Sequence, residues 1–70
     1  MTQYFRRTGG FLNTRIAFVR LDGRTCHLID FLGKEYRHPK FCSLFDAVEL
    51  VRGGLWQELS EAQAKRLVRP

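Results

Sequence analysis

FLNTRIAFVRLDGRTCHLIDFL, residues 11–32, is the stretch around which the rest of this chain organises. Asp22-Gly23 is a strong signal for a two-residue β-hairpin loop, because the tight hairpin turns need positive φ, which Gly and Asp tolerate. The flanking arms, Arg15 to Leu21 and Arg24 to Leu32, are rich in β-branched, aromatic and aliphatic residues that suit a pleated, half-buried surface. With Asp22 and Gly23 as the loop, Leu21 faces Arg24. Counting back sets Val19 opposite Cys26, Phe18 opposite His27, Ile16 opposite Ile29 and Arg15 opposite Asp30. The last two matches, apolar with apolar and cation with anion, are favoured cross-strand partners and support that register.

Outward from the hairpin, the N-terminal side carries Tyr4 and Phe5 beside Arg6 and Arg7, then Gly9-Gly10. This segment reads as an additional edge strand, with a mobile basic arm as the alternative, since termini fray unless tied down. On the C-terminal side, Gly33-Lys34 permits a reversal and Glu35 to His38 forms a short strand. Pro39 stops it, because proline lacks the amide donor that a ladder needs. Ser43 then caps a helix over Leu44 to Arg52 with Asp46 as its reciprocal partner. Leu44, Ala47, Val48 and Val51 share one face of that helix, which lies on the hairpin, and Gly53 ends it at C′. Leu55 to Leu59 reads as a short strand. Ser60 with Gln63 is a capping box for a last helix, Glu61 to about Val68, with Ala64, Leu67 and Val68 inward and Lys65, Arg66 and Arg69 outward. The expected architecture is α+β: a small antiparallel sheet built on the central hairpin, packed by the first helix, then a short strand and a short C-terminal helix, all in one domain.

Seventy residues bury a limited core, so support from a partner or from self-association as a homodimer is expected. At 44% hydrophobic residues the chain has the means to form a core, and it has no apolar run long enough to span a membrane. Met1 to Arg7 is charged with no apolar stretch behind it, so a cytoplasmic location is expected, with Cys26 and Cys42 reduced.

Chemistry-bearing residues are sparse. Ser43 and Ser60 are explained as helix caps, and the acidic residues are scattered, so catalysis is not expected and no cofactor is implied. Cys26, His27, His38 and Cys42 invite a zinc reading, but adjacent strand residues point to opposite faces, so Cys26 and His27 cannot both turn to one ion. No metal site is expected. What stands out is charge: 12 Lys and Arg against 7 Asp and Glu, a net +5, with arginine outnumbering lysine nine to three. Guanidinium groups grip phosphate bidentately and stack on bases, so the bias suits nucleic acid or a nucleoprotein. The expected contacts are Arg20 and Arg24 beside the hairpin tip, joined by Arg6, Arg7 and Arg37, with Phe18 and His27 as a stacking platform if their face is open. The alternative is a protein-binding adaptor or inhibitor that uses a sheet edge or exposed aromatics, with Trp56, Tyr4 and Phe5 as anchors.

Overall fold

The computed structural model describes residues 2–11, 14–23, 25–38, 49 and 51–69, with His38 as backbone only. Five strands, β1 (Thr2–Arg7), β2 (Ile16–Asp22), β3 (Thr25–Asp30), β4 (Glu35–His38) and β5 (Trp56–Leu59), form one antiparallel sheet in the order β4-β3-β2-β1-β5. The helix α1 (Glu61–Leu67) follows β5. The fold is thus α+β with an antiparallel sheet, and no helix among the described residues is long and apolar enough to cross a membrane.

β2 is the middle strand, and its sequence IAFVRLD shows why. Ile16, Ala17, Phe18, Val19 and Leu21 are all buried, so both faces of the strand carry apolar side chains, as a strand covered on two sides requires. On one face Val19 and Leu21 cluster with Phe5 and Cys26, and Leu28, Phe11, Val51 and Trp56 pack against them. On the other, Ala17 and Phe18 cluster with Ile29, Leu59 and Ala64 of α1, with Tyr4, Phe31, Leu67 and Val68 around them. Ala64 is wholly buried, the small side chain that lets the helix backbone come close to the sheet.

The hairpin forms, but not in the expected register. Asp22 pairs with Thr25, so the loop is Gly23-Arg24 rather than Asp22-Gly23; Gly23, at the first loop position, takes φ 62°. Val19 then faces Leu28, Leu21 faces Cys26 and Phe18 faces Ile29. A one-residue slip would invert a strand, whereas this two-residue slip preserves its faces, which is why Val19, Leu21 and Cys26 still share a core. Between Ile16 and Phe18 the register shifts again at a bulge, which places Ile16 opposite Asp30. Ile16 and Ile29 therefore lie on opposite faces, and the expected Ile16–Ile29 and Arg15–Asp30 cross-strand pairs are replaced.

β1 is not at the edge. It lies between β2 and β5, with Phe5 opposite both Val19 and Glu58. The pairing with β5 spans some fifty residues of chain, which no local pattern announces. The true edges are β4, as expected from Pro39, and β5. Of the expected first helix, Glu49, Val51 and Arg52 are among the described residues and are helical, with Val51 against the Phe5 cluster; Ser43, Leu44, Asp46, Ala47 and Val48 lie outside them. Gly54, with φ 77°, takes the left-handed position one residue later than expected, after the Gly53 N–H has closed onto the Glu49 carbonyl at 3.1 Å. The C-terminal capping box is present: the Gln63 N–H donates to Ser60 Oγ at 3.1 Å, and the Ser60 N–H donates to Gln63 Oε1 at 2.8 Å.

Candidate nucleic-acid interface

At the hairpin tip, strand register sets Arg37, His27 and Arg20 side by side on adjacent strands, on the same face as Tyr4 and Leu59. Arg20 is committed within the protein. Its Nε donates to Asp22 Oδ2 at 2.8 Å and its Nη1 to Glu35 Oε1, and its side chain is only 24% exposed. Asp22 also accepts from Thr2 Oγ1 at 2.9 Å and stands 3.8 Å from His27 Nε2. Two carboxylates therefore neutralise the arginine that was expected to lead a contact with phosphate. Arg37 is exposed, and Arg24 lies outside the described residues. The Phe18–His27 platform does not form, since Phe18 is 5% exposed and faces Ile29 while His27 faces Arg20.

These charges shape the acid response of the fold. The hydrogen bond from Arg20 holds the Glu35 carboxyl below its ordinary range. Burial pushes the Asp22 carboxyl up, but the hydrogen bonds from Thr2 and Arg20 and the Arg20 charge outweigh it, so Asp22 also ends below its ordinary value. Carboxyls whose folded pKa is depressed contribute stability above the unfolded value of about 4, and that stability is lost as pH falls through the lower folded values. Urea melts of the wild type should thus weaken below about pH 4, and Arg20→Gln should make that acid limb shallower. Superimposable limbs would show that the cluster contributes nothing to the acid response.

The other end of the sheet has the opposite character. Antiparallel order brings the end of β1, the start of β2, the end of β3 and the start of β4 to this end, and α1 runs back so that its C-terminal residues arrive there too. Phe31 sits at the meeting point. Its N–H donates to the Arg15 carbonyl at 3.1 Å, and its carbonyl accepts from the Arg69 N–H at 2.7 Å. Arg6 and Arg7 come from the end of β1, and Lys34 precedes β4. The nearby carboxylates are occupied. Asp30, 7% exposed, accepts from the amides of Leu32 at 2.9 Å and Lys34 at 2.8 Å, and the hydroxyl of Tyr36 donates to it at 3.4 Å. Glu35 turns toward Arg20. Neither Arg6 nor Arg7 has a side-chain ion pair among the described residues.

Two cavities open at this end and share Phe31 as a wall. One, of about 280 Å³, is lined by Arg6, Arg7, Phe11 and Leu67 among others. The other, of about 430 Å³, is lined by Thr14, Arg15, Leu32, Lys34 and Tyr36 with Asp30. Each ring here carries a cation: Arg69 Cζ lies 5.8 Å from the Phe31 centroid and Lys34 Nζ 5.3 Å from that of Tyr36. Reading the sequence missed Arg15, Phe31, Lys34 and Arg69 as site residues, because FLGK reads locally as a turn and Arg69 as a helix-end cation.

The chain matches no protein-family model, no curated protein and no solved structure.

The aromatics proposed as partner anchors are placed differently from one another. Phe5 is a core side chain, 5% exposed, and so presents no surface to a partner. Tyr4 is half-buried and packs edge-on to Phe18 with centroids 6.0 Å apart. Trp56 is half-buried and meets Phe11 edge-on at 5.5 Å. Among the described residues, the exposed large apolar side chains are Leu32, Leu55 and Tyr36.

Proposed function

We propose that this protein is a non-enzymatic nucleic-acid-binding protein that grips phosphates with the cations gathered at the Phe31 end of the sheet. The observation that carries this reading is the segregation of charge. Arg20 at the tip is matched by Asp22 and Glu35, while Arg6, Arg7, Lys34 and Arg69 converge where Asp30 and Glu35 are already occupied. Clustered cations of this kind raise association rates with a polyanion and add sequence-independent affinity. Arginines beside aromatic rings add the planar contacts that bases accept. Leu32, 80% exposed, and Leu55, 57% exposed, favour a protein partner as the second reading. Scattered exposed leucines are ordinary on small proteins, so they rank below the charge.

A salt titration of binding to mixed-sequence DNA and RNA tests the proposal. The logarithm of the affinity should fall linearly with the logarithm of salt concentration. Arg6→Gln with Arg7→Gln should reduce the slope by roughly 1.4 to 1.8, since each lost phosphate contact removes about 0.7 to 0.9. Arg20→Gln, by contrast, should leave the slope unchanged. A wild-type protein that binds neither DNA nor RNA at low salt would remove the reading.

A further inference from the structure

We infer that the Phe31 end takes a single strand rather than a duplex, with an unstacked base lodged against Phe31 while the surrounding arginines hold the flanking phosphates. This rests on the nucleic-acid reading above and specifies its ligand. Three observations point the same way.

The first is shape. A duplex is read by an element that protrudes into a groove, commonly a helix or a two-stranded ribbon. The ribbon in this fold is the β2–β3 hairpin, whose tip lies at the opposite end of the sheet from Arg6, Arg7, Lys34 and Arg69 and whose Arg20 is tied to Asp22 and Glu35. The cationic end is instead concave, with cavities of about 280 and 430 Å³ that both have Phe31 in their linings. Those volumes are near the lower part of the range of about 300 to 1,000 Å³ that small-molecule sites occupy, which suits one base and its sugar better than a helix.

The second is chemistry. Non-specific single-strand sites combine a positive groove that follows the backbone with aromatic faces on which bases stack. Here Phe31 and Tyr36 line the larger cavity, each with a cation over its ring, and Arg15 and Lys34 stand on the same wall. Arg6 and Arg7 rim the smaller cavity on the other side of Phe31. A strand crossing Phe31 would therefore meet basic residues in the lining of both cavities. The Arg69 guanidinium, 5.8 Å from the Phe31 centroid, adds a cation beside the ring.

The third is rigidity. Phe31 is tied by backbone hydrogen bonds to Arg15 on one side and Arg69 on the other. Asp30 braces the next residues by accepting from Leu32 and Lys34. A ring held in this way loses little freedom when a base stacks on it, and that lowers the cost of binding.

The test compares the full chain's affinity, at one salt concentration, for single-stranded oligo-dT, the same length of duplex DNA, inorganic polyphosphate and polyglutamate. Phe31→Leu keeps an apolar side chain against the Ala17, Phe18, Ile29, Leu59 and Ala64 cluster but removes the π face, and far-UV circular dichroism checks that the variant is folded. Single strand should bind at least several-fold tighter than duplex. Phe31→Leu should weaken oligo-dT by about 5- to 150-fold, the range for losing one stacked base, while leaving polyphosphate binding unchanged. Tyr36→Leu, at an exposed position, gives a second variant should Phe31→Leu fail to fold, with a smaller loss in the same direction. Duplex bound as tightly as single strand, or oligo-dT affinity indifferent to these variants, would overturn the base pocket and leave the phosphate reading standing. Polyglutamate bound as tightly as oligo-dT would make this an acidic-protein surface and overturn the inference. Binding to none of the nucleic acids would remove both readings.

Discussion

Leu21→Ala is expected to cost about 2 to 5 kcal/mol in urea melts, among the large losses expected from truncations in the sheet. Leu21 is 1% exposed, on the middle strand, and packs with Phe5, Val19 and Cys26. Removing three heavy atoms there forfeits their transfer free energy. It also leaves a void that strands paired on both sides cannot close without breaking ladder hydrogen bonds. At roughly 0.05 to 0.15 kcal/mol per residue, a chain of this size has total stability of roughly 4 to 10 kcal/mol. The loss would therefore be a large fraction of the total. Leu32→Ala is the control, because Leu32 is 80% exposed and its truncation should change stability by no more than about 0.5 kcal/mol. Equal effects at the two positions would show that the core is not where the sheet places it.

Asp30→Ala is expected to be the most damaging polar substitution, at about 1 to 3 kcal/mol, because it removes a carboxylate that organises the 30–34 turn. One oxygen, Oδ1, accepts from both the Leu32 and the Lys34 amides, and the turn is closed by the Gly33 N–H to the Asp30 carbonyl and the Asp30 N–H to the Lys34 carbonyl, each at 3.0 Å. Charged acceptors give the stronger hydrogen bonds, so Asp30→Asn, which keeps an oxygen at that position, should recover about half of the loss. The turn also carries Phe31 and Lys34. Asp30→Ala should therefore weaken oligo-dT binding at temperatures where circular dichroism shows the sheet intact, and Asp30→Asn should restore it in part. Full stability in Asp30→Ala would mean that the turn is held by its backbone alone.

Local elements were legible in the sequence wherever the deciding interactions are local. Ser60 and Gln63 are three residues apart, and the hydrogen bonds they exchange depend on nothing beyond that turn. Glu35–His38 appears as a strand ending before Pro39 because the missing amide donor is a property of the residue itself. The inward set of α1, with Ala64 buried and Leu67 and Val68 against the second cluster, follows from helical spacing. The hairpin arms were visible from composition, but the loop position was not. Asp22-Gly23 and Gly23-Arg24 both put the glycine at a loop position, and the two registers preserve the same faces, so alternation cannot choose between them. The charge match of Arg15 with Asp30 pointed to the wrong one, because Asp30 serves the backbone of its own turn.

The sequence by itself determined an antiparallel α+β fold, the strand and helix segments with local caps and stops, and an arginine-rich positive charge. The tertiary structure alone decided that β1 lies inside the sheet, since its two neighbours are strands distant in the chain and long-range pairing leaves no period to read. It also decided which cations are neutralised and which are brought together. Arg20 is neutralised by Glu35, fifteen residues away, and Arg6, Arg7, Arg15, Phe31, Lys34 and Arg69 meet only because antiparallel strands return to the same end of the sheet and α1 runs back along it. Charge composition is additive along a chain, but a binding surface depends on which residues the strand order makes neighbours.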